Sequence, residues 1–171
     1  IQTYYDHGFQ ASNGWYIEKC QTTLGDDTIK CPVCEDNAVH WKKYGGKRDL
    51  VPKHIKARGR GVHHVANIMV IRDPANPSNE GKVFLFRFGN YLKKMIFDAA
   101  APKFETITPI QAFDIDNGAD FHLRVHKDGD GDKAQTSYSN SKFAEPSPIA
   151  DNDEDTVAIL EQLMDLSEFR F

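Results

Sequence analysis

The chain has 171 residues, of which 40% are hydrophobic and 27% charged, and its formal net charge is −4. That is enough apolar material to bury a real core as one domain, or one with a small appendage, and too much for a disordered chain. No apolar run approaches the roughly 18 residues that a membrane-spanning helix needs, and the odd count of three cysteines argues against a purely disulfide framework.

The chain opens on Ile1-Gln2-Thr3-Tyr4-Tyr5, without Met, and reads as starting inside a strand, so a fragment of a longer protein is expected. Residues 14–20 form a short aromatic strand behind the hairpin signal Asn13-Gly14. A helix is predicted over 35–44: Glu35 and Asp36 suit its positive end, Lys42 and Lys43 its negative end, and Gly45 can stop it. Residues 45–62 are basic, hold four glycines and Pro52, and read as a mobile loop. Residues 64–72 and 82–88 read as two strands paired across a long connection. A helix is predicted over 90–99, with Leu92, Met95 and Ile96 on one face. Residues 121–126 alternate as a half-buried strand does, and 127–141 read as loose. An amphipathic helix over 155–166, capped by Asp155, completes a mainly β (α+β) pattern.

Cys20, Cys31 and Cys34 with one histidine make a complete tetrahedral set for one structural Zn²⁺, with no position open for water. Twelve residues separate His7 from Cys20, ten separate Cys20 from Cys31, and two lie inside Cys31-Pro32-Val33-Cys34. On spacing alone both His7 and His40, six residues past Cys34, can be the fourth ligand. A redox C-x-x-C needs its first cysteine at a helix start behind a buried strand. The polar residues before Cys31 make no such strand, and that reading leaves Cys20 unexplained.

Charge is segregated along the chain. Lys42, Lys43, Lys47, Arg48, Lys53, Lys56, Arg58, Arg60 and Arg72 face Asp49 alone, whereas residues 145–171 hold eight acids against Arg170. A polyanion responds to such a local field more than to the total. Trp41, Tyr44, His54, His63 and His64 interleave the cations. Cations that track phosphates and rings that stack bases are the two needs of single-strand binding. Phe86, with Arg87 on the opposite face of its strand, and Tyr138, a ring in a polar loop, extend the candidate set. Asp128, Asp130 and Asp132 begin like a calcium loop, but Lys133 and Ser139 occupy the positions for Gly and Glu. Asp114, Asp116 and Asp120 fail as well. No nucleophile elbow, P-loop or open metal site is present, so no enzyme is expected.

Six segments, HGF-x-x-x-NGWYIE-x-C, CPVC, VAN-I-x-V-x-x-DP, NEGKVF-x-x-RFG, SKF and EQ-x-x-DLSE, occur in that order between His7 and Glu168. In them the chain resembles the single-stranded-DNA-binding (helix-destabilising) proteins of T-even phages and their cyanophage-like relatives. The resemblance implies a five-stranded OB-fold barrel with an inserted Cys₃His zinc subdomain and a few flanking helices. The expected layout is a zinc lobe with the basic loop over about 1–62, OB-fold strands over about 63–150, and a C-terminal helix leading to an acidic tail over 151–171. It implies the ligands His7, Cys20, Cys31 and Cys34, deciding for His7 over His40. It also implies sequence-independent, cooperative binding to single-stranded DNA in phage replication, recombination and repair, in the cytoplasm of an infected bacterium. Self-association along DNA would come from a basic N-terminal segment, and replication and recombination partners from an acidic C-terminal one, both beyond this chain.

The expected DNA contacts are Lys42, Lys43, Tyr44, Lys47, Arg48, Lys53, Lys56, Arg58, Arg60 and Arg87, with His64, Phe86 and Tyr138 as stacking rings. Where the family has an aromatic pair this chain has His64 and Val65, and its basic loop over 53–61 is longer. This suggests a trade of stacking for charge, carried by Arg58 and Arg60. A zinc-ribbon adaptor docking an acidic partner and an RNA-binding module are the alternatives.

Overall fold

β1 (Gln2–Ala11) and β2 (Gly14–Lys19) form an antiparallel hairpin whose register runs from Asp6↔Lys19 to Ala11↔Gly14. Gly14 closes it at φ 140°, a conformation that a side chain would disfavour. β3 (Arg60–Met69) pairs antiparallel with the other edge of β1, from Gln2↔Val65 to His7↔Arg60. β4 (Val83–Phe88) lies next to β3, giving the sheet order β2-β1-β3-β4. In this computed structural model, residues 1–23, 28–131 and 134–169 are described. Asp132, Lys133 and Arg170, weighed above, lie outside them.

Two further strand pairs are β5 (Ala119–His122) with β8 (Lys142–Pro146), and β6 (His126–Asp128) with β7 (Gln135–Ser137). The helices are α1 (Pro32–Lys43), α2 (Lys53–Ala57), α3 (Asn90–Ala100) and α4 (Asp153–Leu160). The mainly β organisation with a few helices is as expected. Among the described residues the strands form one four-stranded sheet and two pairs.

The chain divides into two compact units, the first made of Ile1–Asn67, Leu85–Arg87 and Met164–Phe171. Its buried residues include His7, Cys20, Cys31, Val51, Ile55, His64, Val65 and Ala66. Met164 is held by Asn67, whose Nδ2 donates to the Met164 carbonyl at 3.0 Å while its Oδ1 accepts from the Met164 N–H at 3.1 Å. Phe169 completes the attachment with its ring centroid 5.6 Å from that of Tyr4.

The second unit, Ile68–Phe84 and Phe88–Leu163, buries Val83, Phe88 and Leu92. Phe121 and Phe143 pair across β5 and β8 with centroids 4.8 Å apart.

Four sequence expectations need correction. Residues 45–62 are not one mobile loop: Val51 and Ile55 are 2% and 1% exposed, so a turn of helix is pinned to the core. The strand expected over 121–126 stops at His122. The buried Ser141 hydroxyl accepts from the Arg124 N–H at 2.9 Å and donates to its carbonyl at 3.3 Å, replacing ladder bonds. Residues 127–141 contain β7 and most of β6, so they are not uniformly loose. The last helix is shorter than 155–166 and is capped by Asn152, whose Oδ1 accepts from the Asp155 N–H at 2.9 Å.

A candidate metal centre and the cationic segment beside it

His7 sits mid-strand in β1, opposite Glu18 of β2 and Arg60 of β3, and is 2% exposed. Cys20 follows β2 directly, its N–H donating to the Tyr5 carbonyl at 2.9 Å, which returns the chain toward His7. Cys31 is the residue before α1. Its backbone is extended, and its N–H donates to the Thr22 hydroxyl at 2.9 Å. Pro32 suits the first helical position because its missing N–H would have no partner there. The first turn of α1 then brings Cys34 alongside Cys31.

The ligand atoms of His7, Cys20, Cys31 and Cys34 all lie within 4.8 Å of one another. His7 Nε2 is 3.4 Å from both Cys31 Sγ and Cys34 Sγ, and Cys20 Sγ is 3.5 Å from Cys34 Sγ. Sulfurs bound at 2.3 Å around a tetrahedral zinc would stand about 3.8 Å apart. The four residues could therefore hold a metal ion, and three soft sulfurs with one imidazole suit zinc. His40 is outside the cluster; its Nε2 lies 3.7 Å from Asp36 Oδ2 one turn earlier on α1.

The thiols bias one another. Burial pushes the Cys31 thiol up, but the backbone N–H groups of Cys34 and Val33, followed by the Cys20 thiol, outweigh it, leaving it below an ordinary cysteine. Burial first, and then Cys20, push Cys34 up to about 12. Three thiolates this close repel one another, and a divalent cation removes that cost.

The imidazole is oriented from behind. His7 Nδ1 is 2.9 Å from the Arg58 carbonyl oxygen. A carbonyl only accepts, so Nδ1 carries the proton and Nε2 keeps its lone pair toward the sulfurs. Arg58 is held in turn: its Nε donates to Asn37 Oδ1 at 2.9 Å, its Nη2 pairs with Asp36, and Asn37 Nδ2 donates to the Arg58 carbonyl at 3.3 Å. Asp36 and Asn37 stand in α1, two and three residues after Cys34. This network was not visible in the sequence, where Arg58 reads only as one more cation.

α1 ends in a glycine turn. The Gly46 N–H donates to the Trp41 carbonyl at 2.9 Å and the Gly45 N–H to that of Lys42 at 3.0 Å, with both glycines at positive φ. The turn delivers the chain into the cationic segment.

Lys42, Lys43, Lys47, Arg48, Lys53 and Arg60 are exposed, whereas Tyr44, Lys56 and Arg58 are half-buried. The Arg60 guanidinium lies 4.7 Å from the centre of the Tyr5 ring, a ring that sequence reasoning passed over. Phe86 is half-buried and Arg87 exposed on β4 in the same unit. His64 differs from expectation. It is 1% exposed with Nδ1 2.8 Å from the Thr3 hydroxyl, so its ring ties β3 to β1 and presents no open face to a base. Tyr138 follows β7 in the second unit, half-buried, with Tyr91 of α3 beside it.

Over residues 2–171 the chain matches the family described as gp32 DNA binding protein like. It is 38% identical over 169 residues to the single-stranded DNA-binding protein of Enterobacteria phage T2, an alignment covering 95% of this chain and 52% of that protein. The single-stranded DNA-binding protein of Enterobacteria phage T4 is 37% identical with the same coverage. The chain thus spans about half the length of these curated relatives.

Proposed function

The chain belongs to the gp32 DNA binding protein-like family, and from that membership we propose that it binds single-stranded DNA without sequence preference, using one structural zinc at His7, Cys20, Cys31 and Cys34. Lys42, Lys43, Lys47, Arg48, Lys53 and Arg60 track the phosphates, with Lys56 at their edge. Tyr44, Phe86 and Tyr138 supply rings, and Arg87 adds charge beside Phe86. The strands work as an OB-type barrel.

The observation that carries this reading is the row of exposed cations leaving a helix whose start bears two of the four metal-ligand residues. Phosphate neutralisation supplies affinity and releases counterions; stacking adds affinity for every base alike. The zinc touches no DNA in this scheme. It fixes α1, and through Arg58 the start of β3, so the cations project from a rigid base. As part of a longer protein the chain would act cooperatively in phage replication, recombination and repair in the host cytoplasm, with partners recruited by segments outside it.

Titration of the zinc-loaded chain with oligothymidylate, a mixed-sequence single strand and a duplex, across a range of salt concentrations, tests the proposal. Both single strands should bind with similar affinity and the duplex more weakly. The log–log salt slope should steepen by about 0.7 for each phosphate contacted on a single strand. No binding to either single strand at low salt would refute it and leave the adaptor reading.

A further inference from the structure

Tyr91 and Tyr138 come from distant parts of the chain and meet in the second unit. Their ring centroids are 6.3 Å apart and their planes 32° from parallel, within the range of about 4.5–7 Å for interacting aromatic pairs. Tyr138 is held at a turn that its own carbonyl closes by accepting from the Ser141 N–H at 2.9 Å. Ser141 is itself buried and bonded to the Arg124 backbone, so the turn is anchored.

Tyr91 lies in the first turn of α3 and is 53% exposed. Its neighbour Leu92, 3% exposed, faces the core with Met95 and Ile96 on the same side of the helix. The helix therefore meets its packing needs without Tyr91. A large ring left more than half in solvent, beside a second ring fixed by a buried serine, is what an unpaired nucleobase needs: a wide apolar face whose polar tip tolerates water.

We infer that Tyr91 is a base-stacking residue that forms, with Tyr138, a two-ring platform for the bases of a single strand. This deepens the single-strand-binding function proposed above and rests on it. The ligand class is any of the four bases, since stacking reads no hydrogen-bonding edge. The helix pattern over 90–99 picks out Leu92, Met95 and Ile96 and leaves Tyr91 unremarked; the proximity to Tyr138 singles it out.

The test measures oligothymidylate affinity of the full zinc-loaded chain and its variants at several salt concentrations, alongside an abasic oligomer of the same length. Tyr91→Ala should weaken binding to oligothymidylate about tenfold, as loss of one stacked base does. The salt slope should stay unchanged, because no phosphate contact is lost. Tyr91→Phe should bind as the wild type and Tyr91→Leu as Tyr91→Ala, and on the abasic oligomer the difference between Ala and Tyr should vanish. Wild-type affinity in Tyr91→Ala would overturn the inference, as would an equal loss on the abasic oligomer or full rescue by Leu. If the wild type itself fails to bind oligothymidylate, the single-strand reading falls with it. If the wild type binds and Tyr91→Ala matches it, only the platform is lost.

Discussion

The carbonyl oxygen of Arg58 lies 2.9 Å from Nδ1 of His7, while the Arg58 side chain grips Asn37 and Asp36 on α1. One residue thus joins three things: the imidazole of the metal cluster, the helix that follows Cys31 and carries Cys34, and the entry to β3. Its neighbour by two, Arg60, is exposed over the Tyr5 ring. Two arginines that look alike in sequence have different partners.

Their substitution should separate the two roles. Arg58→Ala keeps the backbone carbonyl that accepts from His7 but frees it from Asn37 and Asp36, so it should weaken metal affinity by about 10-fold, the low end of the range for disturbing a group that orients a ligand, seen as faster zinc transfer to a chromophoric chelator. The salt slope of DNA binding should not change. Arg60→Ala should keep its zinc and lower the magnitude of the slope by about 0.7. An Arg58→Ala slope as shallow as that of Arg60→Ala would assign Arg58 to the DNA instead.

Zinc affinity should fall as pH is lowered. Cys34, pushed up to about 12 by burial and then by Cys20, holds its proton at neutral pH until a cation displaces it. Metal binding therefore releases protons, and acid competes with it. Calorimetry in buffers of different ionisation enthalpy measures the release. Cys34→Ser should release fewer protons and bind zinc more weakly.

Chelation should loosen more than the four ligands. The strand pair, Cys20 and the start of α1 meet at the cluster, and in small sites metal affinity is largely folding energy. Circular dichroism should show partial loss of structure on metal removal, and oligothymidylate affinity should drop although no ligand touches DNA. Unchanged DNA affinity in the metal-free chain would show the cationic segment to be independent of the cluster.

Ile55→Ala should destabilise the zinc-loaded chain by about 2–5 kcal/mol, the range for truncating a buried aliphatic side chain, measured as a shift of the denaturation midpoint. Ile55 is 1% exposed and anchors α2. A truly mobile segment would give almost no shift.

Gly118→Ala should be strongly destabilising in the second unit. A Cβ there would stand 2.3 Å from the Asp114 carbonyl oxygen, which belongs to the backbone and cannot turn aside. The same substitution at Gly46, where nothing lies within 4 Å but φ is 72°, should cost only backbone strain, on the order of 1 kcal/mol. Thermal melts of the two variants compare steric overlap with backbone strain directly.

Much of this chain was legible from local chemistry. The Asn13-Gly14 turn, the helix expected over 35–44 with its glycine stop, and the strands expected over 64–72 and 82–88 follow from turn preferences, dipole-suited charges and side-chain alternation, all of which act over a few residues; the bounds moved, the helix starting three residues earlier at Pro32 and the first strand running from Arg60 to Met69. The choice of His7 came with the family resemblance, and the cluster geometry agrees with it: the ligand atoms of His7 and the three cysteines lie within 4.8 Å of one another, whereas His40 stands beside Asp36. What the tertiary structure alone decided were matters of partnership across long sequence distances. Arg58 bonds to His7 51 residues away and to Asn37 21 residues away, so a residue counted as free charge became part of the metal cluster's frame. His64 was buried by pairing with Thr3 across β1, and Tyr91 came to stand beside Tyr138. Composition and period report what each residue can do, but burial and pairing depend on which distant segment arrives beside it, and that is set by the whole fold.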